Sequence, residues 1–254
     1  MTADQSSSPS RGEPELLAQK VVVIGGSSGI GFAVAGRARA EGADVIVTGR
    51  NAGRLQHAAD ELGALSSAAF DAFDGDALDR FFRALPAPID HVMVTAGAPH
   101  YGRLADMDND QTRQDLSEHL MLTLEVARNC ATAVRAGGSV TFMGGTGARR
   151  PGLGLALAST VTVAMPALVA NLALELAPTR VNLIAAGFVD TPLSASLLGD
   201  QLEARRERLR STLPIGRVIQ PADVAALVVH VMTNTALTGA TFDIDGGQQL
   251  IPDS

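Results

Sequence analysis

From Lys20 onward, short apolar runs alternate with longer stretches whose apolar residues recur at helical spacing. Residues 21–24 are wholly apolar and end at glycines, which suits a parallel strand buried on both faces. Residues 30–41 then predict a helix closed by Gly42. The alternation predicts further strands over 44–48, 68–73, 91–95, 140–143, 180–185 and 241–244. Helices are predicted over 52–62, 77–85, 111–135, 156–176, 202–213 and 221–232. Such an order implies an α/β fold: a single doubly wound Rossmann-type domain, with a parallel sheet of about seven strands and helices on both faces. That domain is expected over 19–254. Residues 1–18, polar and rich in Ser and Pro at the start, are expected to form a disordered tail.

Composition narrows the function classes. A net charge of −7 without a basic run excludes a nucleic-acid surface. No apolar run approaches the roughly 20 residues of a membrane helix, so no membrane association is expected. The single cysteine, Cys130, excludes an internal disulfide and a cysteine-based zinc site, and no metal site is expected. A reducing, cytoplasmic setting is the corresponding expectation.

Chemistry enters with the turn Gly25-Gly26-Ser27-Ser28-Gly29-Ile30-Gly31, set between strand and helix. Gly25 permits the sharp turn, Gly29 lets the backbone approach a pyrophosphate, and Gly31 lets the helix pack close to the strand. The helix N-terminus offers N–H groups and partial positive charge, and Ser27 and Ser28 add hydroxyl donors. A dinucleotide site follows. The end of the second strand selects the dinucleotide: a carboxylate there would hold a ribose 2′-OH, but Gly49 stands in that place and Arg50-Asn51 follow. A guanidinium suits a 2′-phosphate, with Arg54 a turn further on, so the expected cofactor is NADP(H).

The glycine spacing resembles the first turn of the short-chain dehydrogenase/reductase family. Other segments match that family in order across residues 20–250. Asp71, with Ala72 after it, resembles the acidic residue that touches adenine. Thr95-Ala96-Gly97 resembles the Asn-Ala-Gly after strand four. Residues 173–178 and Arg180-Val181-Asn182 are similar to its ALELAP and RVN runs. Gly187, Val189 and Thr191 lie in a segment similar to its PG-x-x-x-T, and Asp245-Gly246-Gly247 matches its DGG. The resemblance implies that Ala96, Gly97, Gly187, Val189 and Thr191 join the cofactor site, and that residues 194–212 form a substrate lid.

The same resemblance implies an Asn-Ser-Tyr-Lys tetrad, in which a tuned phenol handles the substrate proton. Counting from the anchors puts those places at His119, Gly145, Ala158 and Thr162, so all four are replaced. The sole lysine, Lys20, precedes the first strand, and the sole tyrosine, Tyr101, follows the fourth. Thr162 retains a hydroxyl for a ribose but supplies no charge. His119 has the right ordinary pKa for acid–base work, or simply fills the Asn pocket. Tyr101 and His100 border a substrate or are ordinary loop residues. Arg149 and Arg150 bind an anionic substrate group or are solvated.

Three functions stay open. One is an oxidoreductase acting on a carbonyl or alcohol without the usual Tyr and Lys. Another is an inactive NADP(H)-binding sensor. The third is a non-redox isomerase, dehydratase or cyclase on the same scaffold. Residues 156–176 are too apolar for a solvent face. In the resembling family that helix lines a subunit interface, which implies a homodimer or homotetramer.

Overall fold

A computed structural model describes residues 14–251. Seven strands, β1 (Lys20–Ile24), β2 (Asp44–Gly49), β3 (Ser66–Ala69), β4 (Ile89–Val94), β5 (Val134–Gly145), β6 (Arg180–Ala186) and β7 (Thr241–Ile244), form one parallel sheet in the order β3-β2-β1-β4-β5-β6-β7. Helices α1 (Gly29–Ala40), α2 (Ala52–Leu62), α3 (Gly75–Ala84), α4 (Asn109–Ala133) and α5 (Ala156–Glu175) connect the first six strands. Between β6 and β7 lie α6 (Pro192–Leu198), α7 (Leu202–Thr212) and α8 (Pro221–Thr233).

Strand alternation sorts the core into two layers. Val22 and Ile24 pack with Phe81 of α3, Leu122 and Val126 of α4, and Met165 and Val169 of α5. Val21 and Val23 point the other way, to Val34 of α1, Leu55 of α2 and Val224 of α8. The central strand β1 is covered on both faces, with residues 21–24 apolar and buried, as expected. Strand order reverses at β1, which pairs with both β2 and β4. A ligand crevice opens at such a switch point, outside the carboxyl ends of the strands.

Several expectations change. The third strand stops at Ala69, because Asp71 Oδ1 accepts a 3.1 Å bond from Phe73 N and turns the chain. β5 begins at Val134, directly after α4, where Val134 pairs with Ile89. The tail expected through residue 18 ends sooner: Leu16 is fully buried and its N–H bonds Glu41 O at 3.0 Å. Residues 1–13 of that tail lie outside the described residues. The segment expected as a lid contains α6, whose Thr191 cap and Ser194 form a reciprocal capping box ahead of Pro192. Finally, α5 spans 20 residues at a hydropathy of 1.7, so by length and composition it does reach membrane-crossing dimensions. It is nevertheless packed into the core through Leu157, Met165, Val169 and Leu172.

Candidate functional site

The glycine turn sits at the carboxyl end of β1, held by its neighbours. Gly26 N donates to Thr48 O at 2.9 Å, and Ala96 N to Ile24 O at 3.1 Å. Gly25 has φ +98°, and a Cβ there would stand 2.7 Å from Thr95 Oγ1. A Cβ on Gly31 would come within 2.3 Å of Gly25 O, so only glycine lets α1 start this close to the strand. No side chain caps α1 and its first turn holds no acid. The N–H groups of Gly29, Ile30 and Gly31 therefore face the crevice with the positive end of the helix dipole behind them. Ser27 and Ser28 are half-buried beside them. This cradle fits a pyrophosphate.

Either side of the turn the expected residues gather. Thr191 adjoins Gly29, where a Cβ would lie 3.6 Å from the threonine's Cβ. Its hydroxyl is engaged in capping, accepting from Ser194 N at 3.1 Å. Gly97, at φ +110°, lies against the His119 ring, 2.6 Å from a would-be Cβ to Cε1. Gly187 is pressed on Asp245 and Gln248, while Val189 and Ala72 are buried and offer only backbone to a ligand. Thr162 is half-buried on α5, four residues beyond the buried Ala158.

At the β2 end, a cleft of about 380 Å³ is lined by Arg50, Asp71, Phe73, Asp74, Gln114 and Glu118. Asn51 caps α2 by accepting from Arg54 N at 2.8 Å, which occupies its carbonyl oxygen. Arg54 is exposed and lies outside the cleft lining. Gln114 and Glu118 come from α4, and nothing in their helical spacing marked them beforehand.

A second cavity, of about 300 Å³, opens at the ends of β5 and β7. Its lining includes Tyr101, Arg150, Leu155, Arg205, Gln248 and Gln249. Tyr101 and His119 are thus separated: the tyrosine lines this cavity, while the histidine packs under Gly97. Burial holds the His119 imidazole below its ordinary 6.5, with nearby Glu118 opposing, so it is neutral at pH 7. Partial burial raises the Tyr101 phenol above 10. His100 turns away to Asp115, 3.2 Å from Nδ1 to Oδ1. The two adjacent arginines divide as well. Arg149 makes a bidentate pair with Asp243, at 2.5 and 2.7 Å, whereas Arg150 donates to Gln249 O and Ile251 O. Arg205 went unnoticed in the sequence because α7 reads as a charged surface helix. Lys20 is anchored at the opposite, amino-terminal end of β1, donating to Pro86 O at 2.8 Å.

Residues 24–249 match the protein family described as Enoyl-(Acyl carrier protein) reductase. The chain is 29% identical over 252 residues to the short-chain dehydrogenase/reductase ATR9 of Stachybotrys chlorohalonatus, covering 92% of this chain and 98% of that one. The solved MalC reductase/Diels-Alderase of Malbranchea aurantiaca superposes with a TM-score of 0.87 at 28% identity, over 95% of this chain and all of that one. A solved small-chain dehydrogenase in complex with NADPH superposes with a TM-score of 0.78 at 27% identity, over 92% of this chain and 100% of that one.

Proposed function

Since the chain belongs to the short-chain dehydrogenase/reductase family, we propose that it binds NADP(H) in the crevice at β1 and β4. There it moves a hydride between that cofactor and a carbonyl or alcohol carbon of a small molecule, without a tyrosine–lysine pair. The observation that carries the cofactor choice is Arg50 in the cleft at the end of β2, where Gly49 stands in place of the carboxylate that would hold a ribose 2′-OH. The NADPH held by a solved relative supports the same choice.

When bound, the cofactor supplies a hydride at its nicotinamide ring. The chain's own residues do the rest. The first turn of α1 holds the pyrophosphate, Arg50 the 2′-phosphate, and Thr162 a ribose hydroxyl. Asp71 faces the adenine, and the backbone at Ala96, Gly97, Gly187 and Val189 walls the crevice. Ala158 and Thr162 carry no ionisable group, so the substrate proton passes through another donor. We assign that role to His119 as a relay: its neutral imidazole would pass the N–H proton to the substrate oxygen as its other ring nitrogen takes one from solvent. Loss of a tuned general acid typically costs about 10²–10⁴-fold, which leaves slow transfer to a reactive acceptor within reach.

A second reading has one observation in its favour. The solved relative named both reductase and Diels-Alderase supports a cyclase-type, non-redox use of a crevice shaped by the cofactor.

Calorimetric titration with NADPH and NADH tests the cofactor assignment. NADPH is expected to bind at least about tenfold tighter, with Arg50→Asp reversing the order. A preference of the unmutated protein for NADH overturns it. On the NADPH-loaded protein, a panel of ketones, quinones and imines then separates the activities by nicotinamide absorbance. Turnover lost in His119→Ala supports the histidine as proton donor. Conversion of a substrate without any absorbance change favours the second reading, and tight NADPH binding with no conversion of any kind leaves a sensor.

A further inference from the structure

The cavity at the ends of β5 and β7 lies beside the nicotinamide end of the proposed cofactor site. Gln248, in its lining, accepts through Oε1 from Phe188 N at 3.2 Å, next to Gly187, and Leu155 immediately precedes the helix that carries Ala158. Much of the wall is flat or apolar. Pro151 and Leu155 present hydrocarbon, Ala148 a single methyl group, and Gly147 no side chain at all, with open space where a Cβ would stand. Two exposed leucines carry this character along the same two segments: Leu153 lies between Pro151 and Leu155 in the chain, and Leu250 follows Gln249.

Two planar side chains join this wall. Tyr101 is half exposed, and its loop is fixed against that of Leu155: Gly102 N donates to Gly154 O at 3.0 Å, and a Cβ on Gly154 would lie only 3.5 Å from Gly102. Arg150 donates to Gln249 O and Ile251 O. Such bonds lie in the guanidinium plane, so they fix the orientation of the group and leave its flat faces clear of these partners. A guanidinium face and a phenol ring are both stacking surfaces for an aromatic ring. Arg205, the other charged lining residue, has an interaction of its own.

We propose that this cavity selects substrates carrying an aromatic ring, which packs on Tyr101 and Arg150 while the reacting carbonyl faces the nicotinamide. The proposal deepens the oxidoreductase reading and rests on it. A cavity of about 300 Å³ is at the small end of ligand pockets, with room for one ring and a short chain. The preference comes from the π face of the ring: its quadrupole attracts the guanidinium and pairs with the phenol, which a saturated ring of the same outline does not reproduce. Burial of hydrocarbon by itself puts the saturated ring at no disadvantage.

The test compares 4-phenylbutan-2-one with 4-cyclohexylbutan-2-one, whose carbonyls react alike because two methylene groups insulate them from the ring. Binding is measured by calorimetry on the protein alone and on the NADP-loaded protein, and kcat/KM with NADPH. The aromatic ketone is expected to bind about tenfold tighter. Tyr101→Leu and Arg150→Met should each cut that ratio about threefold, with Tyr101→Phe keeping it and Arg150→Lys keeping part of it. Because Arg150 also ties down the segment at Gln249, the variants of the half-exposed Tyr101 carry the decision. Equal binding of the two ketones, a preference for the saturated ring, binding of neither, or a ratio unmoved by Tyr101→Leu overturns the proposal. An aromatic preference lost in Tyr101→Leu, but with no oxidation of NADPH, upholds the pocket and counts against the oxidoreductase reading instead.

Discussion

His91 lies between β5 and the residue before β1, its Nδ1 2.8 Å from Ser139 Oγ and its Nε2 2.8 Å from Gln19 Oε1. Burial pushes its pKa down to about 4, against the ordinary 6.5; Asp90 opposes the shift, and Arg180 and Arg135 add to it. The unfolded chain therefore takes up a proton that the folded chain refuses. The stabilisation is complete above pH 6.5 and is lost as the pH falls through that value towards 4, amounting to ~3 kcal/mol over the 2.5-unit interval. Urea unfolding at pH 7 and pH 4.5 should show this loss, and His91→Gln should flatten the slope. An unchanged slope in the variant would place the acid sensitivity elsewhere. His119 feels the same burial but adjoins the crevice, and one depressed histidine is structural while the other is available to a ligand. His91 sits in the apolar strand β4 and His119 follows a polar stretch of α4, and their spatial neighbours separate their roles.

At the scale of elements, Arg180 shows what a recognisable motif was for. It opens β6, is 6% exposed, and donates to Val231 O, Met232 O, Asn234 O and Leu237 O. Its charge is set against the carbonyl end of α8, where the helix dipole is negative. Arg180→Met should cost about 3 kcal/mol, because it strands buried carbonyls as well as removing bonds, and Arg180→Lys should recover only part of that. Thermal unfolding of the three proteins checks the order. The Arg180-Val181-Asn182 run was visible as a family match, but its partners lie more than 50 residues away. The helix α6 was missed for a different reason: its cap, Thr191, and its Pro192 were legible as a start signal, yet a seven-residue helix carries too little periodicity to announce itself. Asp71, legible as a candidate for adenine, also ends β3 early by accepting from the backbone N–H of Phe73.

For the whole molecule, α5 decides the expected assembly. Its apolar composition predicted burial all round, but one face stays open in the single chain, with Val163 67% and Leu174 80% exposed. We propose that a second copy covers this face about a twofold axis. Light scattering should return two or four times the 26.2 kDa chain mass. The double variant Val163→Glu and Leu174→Glu should shift that mass towards the monomer. A monomer from the unmodified protein would refute the assembly.

Local chemistry alone determined a good deal: the alternation of strands and helices, the parallel sheet, the glycine turn, and the absence of any second lysine or tyrosine. Each is a property of neighbouring residues or of a count, and needs no knowledge of distant contacts. Tertiary structure decided which of the candidates share a space. It set Arg50 with Glu118 in one cleft and Tyr101 with Arg205 in another. It gave Arg149 to Asp243 and left Arg150 to the cavity, and it placed His119 under Gly97. Those outcomes depend on how strand ends and crossover helices meet across the sheet, a long-range geometry that spacing along the chain does not encode.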